Sequence, residues 1–334
     1  MKKKTTLADV AAAANVSKMT ASRALRGAKD VSASSVEIVR RAAQDLGYVG
    51  NHLAASLSSQ RSELIGAVVP NLSNVVFAQV LSGISDGIAG SGIRPVFGVT
   101  DYSEEKEYDI IRSMLSWRPA GLIVTGLDQA PATRRLLENA DIPVVQIMDN
   151  DGDPVDSCVG FSHQQAGGAI AEALIEVGFR RFGYIGCGLE LDKRAAKRRF
   201  GFEAALKRHG LEFLASSIAE GLSSIPKGRE RTAAVLKQQP DLDCLYFSND
   251  DVAVGGLFHC IDAGISVPDQ LALAGFNGLD VADGFPGRIA TSRTQRNEIG
   301  RIAAQLVLEA AVSKGDMPSQ NIVFVPEVDL GNIS

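Results

Sequence analysis

The side chains with the most specific chemistry lie in one short segment near the amino terminus, and they suit contact with a nucleic acid. Arg23 can form a bidentate pair with guanine, Lys18 can reach a guanine or a phosphate, and Met19 can pack on a thymine methyl group. Thr20 and Ser22 are better suited to phosphate oxygens. A solvated helix face would carry similar residues, so this alternative stays open for the segment taken alone.

Three short helices are predicted to position these side chains. Thr6 can cap a first helix and Ser17 a second, while a third runs from Ser32 to Gly47. Asn15 falls where the chain must turn with left-handed backbone angles, which asparagine tolerates better than most residues. The apolar positions expected to pack inward are Leu7, Val10, Ala11, Ala14, Ala21, Ala24, Leu25, Val36, Val39, Ala43 and Leu46. This pattern is typical of a helix-turn-helix domain, whose second helix enters the major groove.

The charge of the chain favours the same assignment. Residues 1–61 hold ten lysines and arginines against four aspartates and glutamates, which gives +6, so the remainder must carry −11 to reach the net charge of −5. Lysine and arginine bind DNA by neutralising phosphates and releasing counterions, whereas an acidic body is repelled. Only the amino-terminal segment is therefore suited to a duplex.

A second candidate for DNA contact follows directly. Residues 50–61 have the spacing of one short helix, which is too short to be stable alone in water. Leu57 would be an apolar side chain beside a polar linker, suited to insertion between base steps in the minor groove. A plain flexible linker is the alternative. The predicted organisation is a helix-turn-helix domain in 1–49, a hinge helix or linker in 50–61, and a large domain in 62–334.

These motifs resemble the LacI/GalR family of bacterial transcription regulators. The resemblance is carried by Leu7–Ala11, Val16–Leu25, Val31-Ser32 and Leu46-Gly47-Tyr48 with Asn51. Two positions depart from the family pattern, since Asn15 stands where glycine is common and Gly50 where proline is usual. The resemblance implies a homodimer that binds a nearly palindromic operator, with paired hinge helices inserting Leu57 at its centre. The predicted DNA-binding residues are Thr6, Ser17, Lys18, Met19, Thr20, Ser22, Arg23, Arg26, Asn51 and Leu57.

The rest of the chain alternates strand-like and helix-like segments. Leu64–Val69 is an apolar run typical of a buried parallel strand, followed by a helical stretch from about 75 to 89. Further strands are predicted at Pro95–Val99, Gly121–Val124, Val144–Ile147, Phe182–Ile185, Cys244–Phe247 and Leu271–Gly275, with helices at Glu104–Ser116 and Thr133–Asn139. This alternation predicts an α/β fold with doubly wound parallel sheets. We expect two lobes, one of about 62–161 and 293–325 and one of about 162–292.

Polar residues directly after these strands can converge on a small ligand, because ligands bind beyond the carboxyl ends of parallel strands. In the LacI/GalR family, effectors bind between two lobes similar to those of periplasmic binding proteins. The expected fold is therefore an all-α helix-turn-helix domain followed by a two-lobed, periplasmic-binding-protein-like effector domain. The predicted effector-binding residues are Asn74, Phe77, Asp149, Phe161, Arg198, Asn249, Asn277, Arg293 and Arg296. Capping or solvation of a loop is the alternative role for each.

Position 277 bears on the charge of the effector. The family often has aspartate there, which accepts sugar hydroxyls, whereas this chain has the neutral Asn277. A carboxylate would repel a sugar acid in a poorly hydrated cleft, while Arg198 with Arg293 or Arg296 would pair with it. The stretches Lys18–Thr20, Met114–Trp117 and Gly275–Gly278 also resemble gluconate-utilisation regulators. We expect gluconate, a keto-gluconate or a phosphorylated relative.

Two other classes of protein share parts of this pattern. A nicotinamide-dependent sugar enzyme would need a glycine-rich turn, but Leu191 stands where the third glycine would follow Gly186-Cys187-Gly188. A solute-binding receptor would be exported and would not need residues 1–61, and the chain start lacks the apolar segment of a secretory signal. The four separated cysteines indicate neither a zinc site nor a disulfide framework. We therefore expect a cytoplasmic repressor. Because no leucine heptads are seen at the end of the chain, we expect a dimer rather than a tetramer. We expect no enzyme activity, cofactor, metal or membrane contact.

Overall fold

The structure, a computed structural model, describes residues 5–25, 28, 30–49, 62–284, 289–313 and 318–333. The chain divides into two compact units, Met1–Arg61 and Ser62–Ser334. The predicted hinge helix lies outside the described residues, and so do Arg26, Asn51 and Leu57.

The amino-terminal unit contains three helices, α1 (Leu7–Ala13), α2 (Lys18–Leu25) and α3 (Ala33–Asp45). Thr6 caps α1 in a capping box with Asp9, which satisfies backbone donors that have no partner within the helix. The Oγ of Ser17 accepts from the backbone N–H of Thr20 at 3.0 Å and so begins α2. Asn15 has the left-handed φ of 50° that the sharp turn was expected to require.

Small apolar residues form the core of this unit, so the three helices can approach closely. Its buried members are Val10, Ala11, Ala14, Ala21, Ala24, Val39 and Ala43. The prediction that Leu46 is buried was wrong, because its side chain is 39% exposed. Leu46 lies just past the last turn of α3, and Gly47, with a φ of 60°, directs the chain so that Tyr48 packs against the core instead.

The second unit alternates strands and helices along the chain. Its elements are β1 (Leu64–Val69), α4 (Val75–Gly87), β2 (Arg94–Val99), α5 (Glu104–Ser116), β3 (Gly121–Thr125), α6 (Pro131–Glu138), β4 (Val144–Ile147), β5 (Ser157–Gly160), α7 (His163–Glu176), β6 (Phe182–Cys187), α8 (Lys193–Arg208), β7 (Phe213–Ala219), α9 (Ile225–Gln238), β8 (Cys244–Phe247), α10 (Asp250–Ala263), β9 (Ala272–Ala274), α11 (Asp280–Asp283), β10 (Thr291–Arg293), α12 (Arg296–Val312), β11 (Asn321–Val323) and β12 (Glu327–Asp329).

Two parallel sheets divide this unit into lobes. The amino-terminal lobe (N-lobe) has the strand order β11-β5-β4-β3-β1-β2, and the carboxy-terminal lobe (C-lobe) has the order β7-β6-β8-β9. After the C-lobe sheet the chain returns to the N-lobe through α12, which packs against α4. It then crosses again, because β12 pairs antiparallel with β10. The described segments therefore connect the lobes at three places, near residues 162, 295 and 326.

Reciprocal glycines bring helices of this unit into close contact. A Cβ atom on Gly167 in α7 would lie 2.0 Å from the carbonyl oxygen of Arg198, and one on Gly201 in α8 would lie 1.9 Å from that of Gln164. Only glycine permits such an approach of two backbones. The same arrangement joins α4 to α12 and α9 to α10. The position of α8, which carries several charged residues discussed below, is thereby fixed against α7.

No helix of the described residues is long and apolar enough to cross a membrane. All four cysteines are buried and unpaired.

Candidate functional site

The exposed face of α2 carries the side chains expected to contact DNA. Met19 is 70% exposed, and Lys18 and Arg23 are also exposed, while Thr20 and Ser22 are half-buried. Burial of Ala21 and Ala24 fixes which face of the helix points outward. Lys18, Met19 and Arg23 therefore lie on the exposed side of α2, as contact with DNA requires.

Two of the predicted DNA contacts have roles within the unit. The hydroxyl of Thr6 caps α1, and the Oγ of Ser17 lies 2.8 Å from the Oγ1 of Thr20 as well as capping α2. Their side chains hold α1 and α2 in place.

Arg23 is paired with a carboxylate of the same unit. One terminal nitrogen of its guanidinium contacts Asp30, a residue that lies beyond the end of α2. Both side chains are about half exposed, so the pair contributes little free energy and only favours one direction of the guanidinium. The remaining N–H groups of the Arg23 guanidinium do not contact Asp30.

In the second unit, a cavity of about 180 Å³ lies between the carboxyl ends of the strands of both lobes. It is lined by Asn71, Ser73, Asn74, Tyr102, Cys187, Gly188, Leu191, Asp192, Gly221, Leu222, Ser223, Asn249 and Asp251. Amides, hydroxyls and carboxylates dominate this lining, which suits a small ligand rich in hydroxyl groups.

Two of the nine predicted effector-binding residues line the cavity, Asn74 and Asn249. Each caps the helix that follows its strand, since Asn74 Oδ1 accepts from the N–H of Val76 at 2.9 Å and Asn249 Oδ1 from that of Val252 at 3.1 Å. The amide nitrogen of Asn249 donates to Ser223 at 2.8 Å. The amino termini of α4 and α10 therefore lie at the cavity.

Phe161, Arg198 and Phe276 lie together in a buried cluster rather than in the cavity lining. The guanidinium carbon of Arg198 is 4.3 Å from the ring centroid of Phe276, and the rings of Phe161 and Phe276 are 6.0 Å apart. The terminal nitrogens of Arg198 donate to the carbonyl of Ser248 at 2.8 Å and to Nδ1 of His163 at 3.1 Å.

His163 links this cluster to the N-lobe. Because arginine can only donate, Nδ1 of His163 accepts, and its Nε2–H donates to the carbonyl of Met148 at 2.8 Å. Complete burial, together with the charge of Arg198, keeps the pKa of His163 well below its ordinary value. The histidine is therefore neutral and joins a C-lobe arginine to an N-lobe carbonyl.

Asp149 is fully buried and does not line the cavity. Its Oδ2 accepts from Nζ of Lys197 at 2.6 Å, and its Oδ1 accepts from the N–H of Asp151 at 3.0 Å. Burial raises the pKa of Asp149, and the Lys197 contact opposes that shift. Its role is an ion pair between the lobes. Phe77 is likewise buried, with Arg194 lying over its ring.

The remaining predicted residues also lie outside the cavity lining. Arg293 pairs with Asp283 at 2.6 Å and with Asp329 at 2.7 Å. Arg296 donates to the backbone carbonyl of Asn277 and, at 2.7 Å, to Gln79. The structure therefore does not bring these two arginines to the place where a ligand would bind.

Sequence reasoning missed several residues of the lining. Tyr102 follows β2 with a left-handed φ of 60°, and Gly221, Leu222 and Ser223 follow β7, a strand that was not predicted. Asp251 was overlooked beside Asn249, although it lies in the first turn of the helix that follows β8. Proximity to a strand end was the signal that could have found them.

Both units match known sequence families. The family described as "Bacterial regulatory proteins, lacI family" matches residues 6–51, and that described as "Periplasmic binding proteins and sugar binding domain of LacI family" matches residues 62–324. The chain belongs to the LacI family.

Curated relatives of this LacI family member match over most of the chain. The HTH-type transcriptional regulator GntR of Pseudomonas aeruginosa is 40% identical over 314 residues, which cover 92% of this chain and 90% of that protein. The regulator of the same name from Escherichia coli is 37% identical over 307 residues, with 92% of each chain covered.

Solved structures agree with the fold. A LacI family transcriptional regulator from Silicibacter pomeroyi is 44% identical, with a TM-score of 0.94 and 98% of each chain covered. The structure of the lac repressor dimer bound to operator is 22% identical in sequence and has a TM-score of 0.83. The match covers 99% of this chain and 100% of that one, and at this identity it shows the fold alone. The predicted fold class and family are confirmed. This LacI family member is a DNA-binding transcriptional regulator, and its named relatives are regulators rather than enzymes.

Proposed function

We propose that this LacI family member is a homodimeric repressor that binds a nearly palindromic operator and releases it when a sugar acid occupies the cavity between its lobes. The observation that carries the proposal is that side chains from both lobes line one polar cavity. A ligand there contacts both lobes at once and can favour one angle between them.

The DNA-binding part of the proposal uses the exposed face of α2. Lys18, Met19 and Arg23 would contact base edges, and Thr20 and Ser22 would contact phosphates. Residues 1–49 would form the DNA-binding domain, and residues 50–61 would connect it to the effector domain. Contacts from Arg26, Asn51 and Leu57 stay predictions.

The proposal that the effector is a sugar acid rests on the charged side chains near the cavity. Three cations in the first turns of α8, Lys193, Arg194 and Lys197, lie at the junction of the lobes, as their N-lobe contacts show. Asn277, where an aspartate is common in the family, is neutral, but it is not among the residues that line the cavity. The relatives at 37–40% identity are transcriptional regulators named GntR, in line with the resemblance of this sequence to gluconate-utilisation regulators. A polyhydroxylated anion would have to pair with these cations of α8, because the described residues that line the cavity include two carboxylates, Asp192 and Asp251, and no cation.

Coupling to DNA would follow from a shift in population between lobe arrangements. Ion pairs of Lys193 and Lys197 already hold the lobes together, so a ligand that repacks this junction changes the free energy of the arrangement. Coupling of about 1–3 kcal/mol would change operator affinity about 5- to 150-fold.

The test is a fluorescence anisotropy titration of the intact protein on a palindrome selected from random DNA, at fixed salt. We expect preference for the palindrome over a scrambled duplex, and a lower affinity when D-gluconate or a keto-gluconate is added. Arg23→Ala should abolish the preference while calorimetric binding of the acid is retained.

Three outcomes would contradict parts of the proposal. Equal affinity for palindrome and scrambled DNA would overturn sequence-specific repression. A response to neutral hexoses, with none to aldonic acids, would overturn the effector class. An increase in operator affinity on adding the acid would overturn release in favour of recruitment.

A further inference from the structure

We infer that helix α5 transmits the relative position of the two lobes to Ser62, the residue at which the second unit begins. Glu104 and Arg118 are the positioning residues at the two ends of this helix. The inference rests on the proposed function, because it names the route by which a change at the lobe junction would reach residues 1–61.

The amino-terminal end of α5 is attached to the C-lobe. Oε1 of Glu104, the first residue of the helix, lies 2.8 Å from Nζ of Lys193 in α8. Tyr102, two residues before the helix, lines the cavity. It has a left-handed φ of 60°, and Asp101 before it has one of 50°. A change in the position of α8 or in the contents of the cavity therefore acts on the first turn of α5.

The carboxy-terminal end of α5 holds the start of the second unit. The carbonyl oxygen of Arg118, two residues past the helix, accepts from the N–H of Ser62 at 2.8 Å and from its Oγ at 3.1 Å. Arg118 has a left-handed φ of 47°, which residues other than glycine seldom adopt. The carbonyl of Leu64 accepts from the N–H of Ala120 at 2.7 Å. The chain that leaves α5 is therefore bonded to the first residues of the unit at two successive places.

The helix is stiff enough to connect its two ends. Its 13 residues span about 20 Å. Ile111 and Met114 are buried beneath it, and a Cβ on Gly66 of β1 would lie 2.9 Å from Sδ of Met114. Such close packing leaves the helix little room to bend against the sheet. A displacement at Glu104 is therefore expected to reach Arg118 rather than to be absorbed within α5.

Hydrogen exchange of the intact protein without ligand tests the connection. Glu104→Lys places two ammonium groups together at the lobe junction. We expect the backbone amides of 62–64 and 118–120, at the far end of α5, to exchange about 3- to 5-fold faster. The charge swap Glu104→Lys/Lys193→Glu restores an ion pair and should restore slow exchange.

Glu105→Lys is the matched control. Glu105 lies in the same turn of α5, is exposed and, within the part of the chain that the structure describes, forms no ion pair with the C-lobe. Equal exchange in the two single variants, or a swap that leaves exchange fast, would overturn the inference. Should Glu104→Lys fail to fold, Glu104→Gln is compared with Glu105→Gln in the same way.

A second test follows the signal with ligand present. Trp117 is the single tryptophan of the sequence, and it lies at the carboxy-terminal end of α5, 44% exposed. Saturating D-gluconate should change its emission. Ser62→Ala removes one of two hydrogen bonds to Arg118, so it should reduce the effect of gluconate on operator affinity about 2- to 10-fold and leave the Trp117 response intact. Ser116→Ala is the control, because its Oγ donates within α5, to the carbonyl of Ser113 at 2.6 Å.

The outcomes separate this inference from the proposed function. If calorimetry shows that the unaltered protein binds no aldonic acid, the proposed effector class is wrong, and hydrogen exchange alone decides the role of α5. If gluconate binds and lowers operator affinity while the emission of Trp117 stays the same, the signal does not pass along α5.

Discussion

Nζ of Lys197 in the C-lobe lies 2.6 Å from Oδ2 of Asp149 in the N-lobe, and the aspartate is completely buried. The same ammonium lies 2.7 Å from Asp128 and 3.1 Å from the carbonyl of Asp151. One lysine therefore joins the C-lobe to two separate loops of the N-lobe. Its contact with Asp149 is a buried ion pair, in which removal of one partner is costly.

Replacement of that lysine should destabilise the protein. Lys197→Met leaves the charge of Asp149 buried without its partner, and we expect the free energy of unfolding to fall by about 3 kcal/mol at neutral pH. Urea denaturation followed by circular dichroism measures the change. The double variant Lys197→Met/Asp149→Asn should regain most of the loss, and a loss equal to that of the single variant would contradict the assignment.

The contact between α7 and α8 should tolerate no side chain at Gly201. Gly201→Ala places a Cβ 1.9 Å from the carbonyl oxygen of Gln164, so the helices must separate, at a cost of about 1–3 kcal/mol. Gly168→Ala on α7 is the control, because its Cβ would lie 3.5 Å from the nearest atom. Equal urea midpoints for the two variants would show that the helices can separate freely.

Glu107 should make stability depend on pH. Burial, opposed by Arg194, raises the pKa of this carboxyl from 4.5 to about 7. The folded protein thus holds the proton more tightly than the unfolded chain, so this contribution to stability is complete below pH 4.5 and is lost as pH rises through about 7.

Glu107→Gln should therefore flatten the fall in melting temperature between pH 4.5 and 7. Other charged and polar groups around Glu107 that affect its pKa are Glu104, Lys193 and Gln129. The neighbouring Glu105, which is exposed, supplies the control variant Glu105→Gln. Identical pH profiles for the two variants would show that Glu107 does not carry the effect.

The turn between α1 and α2 should require a residue that tolerates left-handed angles. Asn15→Ala at a φ of 50° should cost the amino-terminal unit about 1 kcal/mol, whereas Asn15→Gly should not. Hydrogen exchange of the α1 and α2 amides in the intact protein measures this, and about 5-fold faster exchange is expected for the alanine variant alone. No difference between the two variants would mean that the turn relaxes to another conformation.

The strands and the recognition helix could be predicted because their signals are local. A buried parallel strand such as Val144–Ile147 is a short apolar run, and the helices of the first unit have caps and apolar spacing in the sequence. The strand Phe213–Ala219 was missed because it lies at the edge of its sheet, where alternate residues are exposed and serines occupy its centre.

The cavity could be predicted only in part. Asn74 and Asn249 lie in the loops after predicted strands, so their position could be predicted from the sequence. The partners of Arg293 and Arg296 were not, since Asp329 and Gln79 are 36 and 217 positions away along the chain. Which arginines are already paired with other side chains is a property of the folded chain.

The pairing of Arg23 with Asp30 has a consequence for the choice of base. A free arginine on a protein surface samples many rotamers, and ordering it at an interface costs free energy at the moment of association. If Arg23 contacts a guanine as proposed, Asp30 would bias the direction of its side chain beforehand through one terminal nitrogen and leave the other donors for the base. A residue outside the recognition helix, one that no base need touch, would thus help to decide which sequence is bound.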